Sequence, residues 1–540
     1  MSGGGLEVVA SDAALPLDAL PFEAPFRDGT PGDRDTRNVR RQVFGACWSD
    51  VRPTPVASPA LLAASEAVAA SLGIAPVLLG TEDFTTCMAG NRVAAGMRPI
   101  ATCYGGHQFG HWAGQLGDGR AIVLGSLRGP DGVSRELQLK GAGPTPYSRT
   151  ADGRAVLRSS LREYVCSEAM AALGVPTTRA LSLVTTGAPV VRDMFYDGRA
   201  RPEPGAVVCR VAPSFVRFGH FELPAALEDL ATLRALAAWV VRAHFPELPR
   251  ASEPDAETFA AWFLEVCLRT ADLMVHWTRV GFVHGVMNTD NLSILGLTVD
   301  YGPYGWLDAY EPGWTPNTTD ASTRRYRFEQ QPSVALWNLA QLGNAIYPLV
   351  GDAAPLEAAL GAYRQRFLAG HDAMMAAKLG LSARPEDRAL VQDLLTLMQA
   401  VETDHTLTFR ALMRPVAALA ADPLRALGEA FYDAEAASRV GADWTGWIAR
   451  YRDRIVDEPG CDDATRRARM GDVNPVVIPR NWLAQQAIDA AERGDLGPLQ
   501  ALLTAVAAPY DDAAEGTLHA GRRPEWARNR PGCSALSCSS

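Results

Sequence analysis

The chain has 540 residues, 47% of them hydrophobic and 21% charged, with a formal net charge of −10. That length exceeds one ordinary hydrophobic core and predicts two or three substructures. The acidic balance leaves no electrostatic footprint for nucleic acid, and no apolar run approaches the length that spans a bilayer.

The opening MSGGGLEVVASDAALPLDALPF carries Glu7 and Asp12 but no Lys or Arg, unlike a secretory or transit leader, so a cytoplasmic location is expected. Nine cysteines, scattered and odd in number, argue against a disulfide framework. Residues 1–40, rich in Pro, Gly and Asp, read as irregular. Residues 58–73, SPALLAASEAVAASLG, read as a helix with Ser58 as N-cap, Pro59 in the first turn and Gly73 as its stop. Residues 1–90 are therefore expected to form an N-terminal extension with one helix.

Residues 91–220 read as a small sheet with one inserted helix. His107 and His111 have the spacing of a zinc helix, but Gln108 stands where the glutamate of that motif belongs. Gly105, Gly106 and Gly110 also disfavour a helix, so no metal is expected there. In GQLGDGRAIVLG, Gly114, Gly117 and Gly119 precede a strand, so backbone N–H groups could approach phosphate, with Arg120 adding a positive charge. AIVLGSL and ELQLK, separated by the turn RGPDG, predict an antiparallel hairpin whose second strand ends in Lys140. Lys140 alternates with Leu137 and Leu139 and so points away from their face. A helix follows over 156–173. Either Glu163 or Glu168 could pair with Lys140, and helical periodicity alone prefers Glu168, which falls within the apolar stripe. Three strand-like runs follow. Arg210 and Arg217 sit in CRVAPSFVRFGHFEL, where Pro213 opposes a straight strand; turned to one cleft, they could clamp a terminal phosphate.

Residues 221–350 are mainly helical, interrupted by HGVMNTDNLSILGLTVDYGPYGWLD (284–308). His284 and Asn291 keep the seven-residue spacing of a kinase catalytic loop, and Asp300-Tyr301-Gly302 stands where its metal-binding Asp-Phe-Gly would. Asn291 and Asp300 offer oxygen ligands suited to Mg²⁺. The usual catalytic aspartate is replaced by Val286, which cannot accept a proton. Residues 351–506 are Ala/Leu-rich with helical spacing, and 507–540 read as a polar, mobile tail carrying Cys533 and Cys538. The fold class expected is α+β in two lobes.

The blocks YGGHQFGHWAGQLGDGR, LQLKGAGPTPYSRTADGRAVLRSSLREY, HGVMNTDNLSI, RYRFEQQPSVALWNLAQL, NPVVIPRNWLAQQAI and LSCSS resemble the selenoprotein O family from about residue 40 onward. The resemblance implies a protein-kinase-like two-lobed fold with an additional C-terminal helical region. It also implies a protein adenylyltransferase that binds ATP reversed and moves AMP to protein Ser, Thr or Tyr hydroxyls, with Mg²⁺ or Mn²⁺. Displacing the chemistry to the α-phosphorus would make Val286 tolerable. By the same resemblance, Gly117, Gly119, Arg120, Lys140, Asp152, Gly153, Arg210, Arg217 and Asp300 contact nucleotide, with Arg210 and Arg217 on the γ-phosphate. Asn291 and Asp300 bind metal, Asp290 accepts the proton, and Glu163 pairs with Lys140. Cys538 stands at the family's C-terminal selenocysteine position. The family's tether partners are replaced by Ala535 and Pro316, leaving a Cys533–Cys538 bridge as the redox candidate. An ordinary phosphotransferase and an ATP-binding pseudokinase scaffold are the alternatives.

Overall fold

The computed structural model describes residues 15–248, 253–458, 460 and 462–537. The mixture of elements is α+β. Strands β1 (Trp48–Asp50), β2 (Ala60–Ala64), β3 (Ile100–Thr102), β6 (Ala121–Arg128), β7 (Ser134–Lys140), β9 (Arg179–Arg192) and β10 (Arg201–Ala212) form one sheet in the order β1-β3-β6-β7-β10-β9-β2. The short β8 (Ala155–Val156) adds to β10. A separate hairpin, β4 (Gly105–Gln108) and β5 (His111–Gln115), leaves the sheet between β3 and β6. The hairpin expected over 121–140 forms with Ala121 opposite Lys140.

One face of the sheet carries Ile122, Leu124, Leu137, Leu139 and Val207 against Leu17, Leu20, Phe84 and Met88 from the N-terminal segment. The other receives helix α1 (Leu157–Ala172), whose Leu161 and Val165 pack on Ala180, Leu183 and Val208. The helical half follows as α2 (Gly219–Ala226), α3 (Leu230–His244), α4 (Ala256–Val280), α5 (Gln331–Val350) and α6 (Ala354–Lys378). Shorter helices pack between residues 387 and 471, before α7 (Asn481–Ala491) and α8 (Gly497–Ala507). Helix α4 is bounded as its sequence dictates: the Asp255 carboxylate accepts from Thr258 N at 2.9 Å, and Gly281 closes the helix at φ 72°. Directly after it, β11 (Phe282–Val283) pairs with β12 (Gly305–Trp306). The loop between them is thus pinned at both ends.

Three expectations are corrected. Residues 58–73 are not one helix: Ala60–Ala64 completes the sheet edge beside β9, and the helix begins only at Glu66, where Ser65 Oγ accepts from Val68 N at 3.3 Å. Pairing with a sheet edge overrides the local helical preference of an Ala/Leu run. The N-terminal region is likewise more than an extension with one helix. It supplies two strands, short helices at Pro25–Gly29, Glu66–Ser71, Pro76–Leu79 and Glu82–Met88, and the buried Leu17, Leu20 and Phe26.

The polar tail is also packed, at least to Ser537. Tyr510 OH donates to Leu173 O at 3.0 Å, and Ala527, Cys533 and Leu536 are buried. Leu536 bridges a segment downstream of the 284–308 loop: its N–H donates to Pro316 O at 2.9 Å and its carbonyl accepts from Thr318 N at 2.8 Å. Between those two residues, Asn317 Nδ2 donates to Gly285 O at 3.0 Å. Cys538 lies outside the described residues. Among the described residues, no helix is long and apolar enough to cross a membrane.

Candidate active site

The side chains of β7 set up the site. With side chains alternating across the sheet, Glu136, Gln138 and Lys140 share one face, opposite Leu137 and Leu139. Lys140 Nζ lies 2.6 Å from Glu163 Oε2 of α1 and 3.6 Å from Asp300 Oδ1. Glu163 Oε1 also accepts from Arg210 Nη1 at 3.1 Å. Glu168, the residue periodicity preferred, instead grips Arg179 at 2.7 Å, with Ser65 Oγ at 3.0 Å. Helix α1 is buried on nearly every side, because α7 and α8 cover the face away from the sheet. An apolar stripe therefore cannot tell which buried side meets the cleft.

Arg210 and Arg217 converge on Asp300, one on each carboxylate oxygen. Both guanidiniums are buried. Burial opposes the Asp300 charge, but Arg217, Arg210 and Lys140 outweigh it and hold the carboxyl well below its usual range. Arg217 Nη1 also donates to Asp290 O at 2.9 Å. Among the described residues, the direct ion pairs of Lys140, Arg210 and Arg217 are with Asp300 and Glu163, so these pairs set three cations against two carboxylates. Arg210 Nε and Arg217 Nε are buried without a hydrogen-bond partner. Unsatisfied donors of this kind cost about 1–3 kcal/mol each, and together with the three cations they suit an arriving anion.

The loop across the cleft runs from His284 to Asn291. His284 Nε2 faces Val299 O at 3.0 Å and its ring stacks on Trp277 at 5.4 Å, so this histidine braces the loop. Val286 is buried. Asn291 Nδ2 donates to Val286 O at 2.9 Å, which fixes the amide and leaves its carbonyl oxygen as the ligand end. Asp290 is buried; Gln108 Nε2 lies 3.2 Å from its Oδ2, and its Oδ1 has no partner. Burial pushes the Asp290 carboxyl up to about 7, against the pull of Arg217 and Gln108.

The remaining expected residues lie around this centre. Gly117 adopts φ 81°, and a Cβ there would stand 2.5 Å from the Tyr147 ring; one on Gly119 would stand 3.0 Å from Tyr147 O. The glycines thus serve a tight packing of the loop on residues 147–148. Arg120 is half-buried, and burial lowers its pKa while Glu163 and Asp300 pull the other way. Asp152 is at the exposed rim, paired with Arg192 at 2.7 Å, and Gly153 turns the chain at φ 71° against Gly143. Cys533 is a buried free thiol that burial pushes up to about 11; Cys538, the other half of the expected bridge, lies outside the described residues. His107 and His111 sit on paired strands rather than one helix, and His107 Nδ1 bonds Glu222.

Three contributors escaped the sequence reading. Gln138 accepts from Arg210 Nη2 and donates to Asp118 Oδ2 at 3.3 Å. Asp118 is itself anchored by Thr102 Oγ1 at 2.6 Å. Glu136 accepts from Phe215 N at 3.1 Å and so holds the turn that delivers Arg217. The alternation of polar residues in ELQLK carried the signal for Glu136 and Gln138; nothing local marked Asp118.

With this geometry in view, sequence comparison is informative. A family model described as Protein adenylyltransferase SelO matches residues 40–507. The Protein nucleotidyltransferase YdiU of Xanthomonas campestris pv. campestris (strain B100) is 56% identical over 527 residues, covering 96% of this chain and 99% of that protein. Proteins of the same name from Azoarcus sp. (strain BH72) and Rhodopirellula baltica are 55% and 53% identical, each again covering 96% of this chain and 99% of the relative.

Proposed function

The chain belongs to the protein adenylyltransferase SelO family, and from that premise we propose that it transfers AMP from ATP to Ser, Thr or Tyr hydroxyls of proteins, releasing pyrophosphate. The observation that carries this reading is the buried cation cluster of Lys140, Arg210 and Arg217 beside a loop whose kinase base position is Val286. A cluster of three cations with unpartnered Nε–H groups is a receptor for the far end of a triphosphate. With the terminal phosphate buried there, the α-phosphorus is the group left facing the loop. Asp290 then takes the proton of the attacking hydroxyl; its oxygen bonds to the α-phosphorus, and the bond from that phosphorus to the bridging oxygen breaks toward pyrophosphate. Gly117, Gly119, Arg120, Asp152 and Gly153 act as the remaining nucleotide contacts.

Mg²⁺ suits the donor set. Asn291 and Asp300 supply an amide and a carboxylate oxygen, too few to cage a cation alone, which fits a metal that shares its sphere with phosphate and water. Among the described residues no group of three or more His, Cys, Asp or Glu could hold an ion by itself. The bound ion would neutralise phosphate charge. Asp300 would hold such an ion in place of its arginine partners, and Arg210 and Arg217 would then be available to phosphate oxygens.

The architecture supports a kinase-like two-lobed arrangement, with Lys140 and Glu163 in the sheet half and Asn291 and Asp300 in the helical half. The described free cysteines, all buried, support a reducing compartment such as the cytoplasm. Incubation with ATP labelled at the α- or the γ-phosphate tests the reaction class. Protein should acquire α-label, with an intact-mass gain of one AMP less water. Robust γ-label would overturn it and favour an ordinary phosphotransferase.

A further inference from the structure

The β4–β5 hairpin lies directly against the turn Thr289–Asn291. Gln108 Nε2 reaches Asp290 Oδ2 at 3.2 Å, and His107 N donates to Thr289 Oγ1 at 2.7 Å. Phe109 N donates to Tyr326 OH at 2.9 Å and to Asn288 Oδ1 at 3.1 Å, and Tyr326 OH donates to the same Asn288 oxygen at 2.6 Å. Three consecutive hairpin residues therefore bond to three consecutive residues of the loop that ends in the proposed base.

Two further features show that this docking is built in. A Cβ on Gly106 would stand 3.0 Å from both Cβ and Oδ1 of Asp290. A Cβ on Gly219, at the start of α2, would stand 2.1 Å from Gly105 O. The hairpin approaches the base loop only because these positions lack side chains. The turn itself is tight. Phe109 and Gly110, between the paired Gln108 and His111, both have positive φ, 51° and 86°. A phenylalanine in that region is strained by roughly 1–3 kcal/mol, and its bonds to Asn288 and Tyr326 hold it there. From the other side, His107 bonds Glu222 of α2 and its ring packs against Trp112 at 5.3 Å and Trp337 of α5 at 5.5 Å.

We infer that Gln108 is a positioning residue for AMP transfer: its amide, bonded to Oδ2, fixes the orientation of the Asp290 carboxylate. This rests on the proposed role of Asp290 as proton acceptor. Among the described residues Oδ1 is buried without a hydrogen-bond partner, so the Gln108 bond to Oδ2 is the side-chain contact that sets how the carboxylate is turned. A neutral amide suits the task, because a cation in its place would orient the carboxylate but also compete for it.

The test uses the full chain, α-labelled ATP and a dialysed bacterial lysate as acceptor. Gln108→Met keeps the length of the side chain and removes the donor. Its kcat should fall about tenfold or more, the worth of one hydrogen bond to a carboxylate, while KM for ATP, Mg-ATP affinity and Tm stay close to wild type. Gly106→Ala, which sets a methyl beside Oδ1, should also lose kcat with nucleotide affinity retained. His111→Ala, at the exposed tip, serves as an unaffected control. Asp290→Asn is measured alongside. If Asp290→Asn is inactive while Gln108→Met keeps wild-type kcat, the inference about Gln108 is overturned and the base assignment stands. If Asp290→Asn keeps wild-type transfer, the base assignment falls, and the inference with it. A Gln108→Met defect seen as lower Tm and weaker nucleotide binding, with kcat intact, would mean packing alone.

Discussion

Asp300 and Asp290, ten residues apart in sequence, meet opposite surroundings within one cleft. Asp300 has an arginine on each oxygen and Lys140 beside it, and those cations hold it ionised. Asp290 is more deeply buried, its side-chain partner among the described residues is a neutral amide, and burial pushes it up to about 7. The same side chain is thus held ionised in one place and pushed toward neutrality in the other, through its neighbours.

The sharpest test of that contrast is substitution by asparagine at each site. Asp300→Asn should reduce transfer by on the order of 10²–10³-fold. It should also destabilise the nucleotide-free protein by about 3–5 kcal/mol, because Arg210 and Arg217 lose their buried counter-charge; denaturant melts measure this. Asp290→Asn should cost about 10²–10⁴-fold in transfer, yet leave stability unchanged or raise Tm by about 1–2 °C, since a buried carboxyl without an ion partner is removed. Equal destabilisation by both variants would erase the distinction.

Glu136 extends the comparison to a third carboxyl. It is bonded by the Phe215 N–H with Asp118 as a charged neighbour, and burial raises it from 4.5 to about 8. The native state therefore keeps a proton that the unfolded chain releases. The stabilisation from this group is complete below about pH 4.5 and is lost as pH rises through about 8. Glu136→Gln should flatten that part of the stability–pH curve, read as Tm against pH. The smallest effect concerns burial away from the cleft. Cys533 should resist iodoacetamide in the native protein and react on unfolding, with peptide mapping as the readout.

The sequence was most legible where one period carries one meaning. The 121–140 hairpin, Lys140 at its end and the limits of α1 follow from alternation, turn residues and helix stops. The pairing of Lys140 was not legible from periodicity, because α1 is buried both toward the sheet and toward α7 and α8. The strand at Ala60–Ala64 was hidden because its partner, β9, is distant in sequence. The packed tail was hidden for a related reason: Leu536 joins the rest of the chain through backbone bonds to Pro316 and Thr318, and Tyr510 and Arg530 meet partners distant in sequence, which no local pattern announces. Gln108 was visible only as a zinc motif that fails. The same substitution of glutamine for glutamate gives Asp290 an amide donor rather than a second carboxylate.

The bridge from Leu536 to residues 316–318, and through Asn317 to Gly285, bears on the order in which the protein is made. Synthesis runs from the N-terminus, so Lys140, Asp290 and Asp300 leave the ribosome long before Leu536 is added. A nascent chain that has already exposed these residues still lacks the backbone bonds that brace the segment beside the 284–291 loop. Completion of the cleft is thereby deferred until the C-terminal region has emerged, and a chain arrested before Pro531 would carry every residue of the candidate site without this brace.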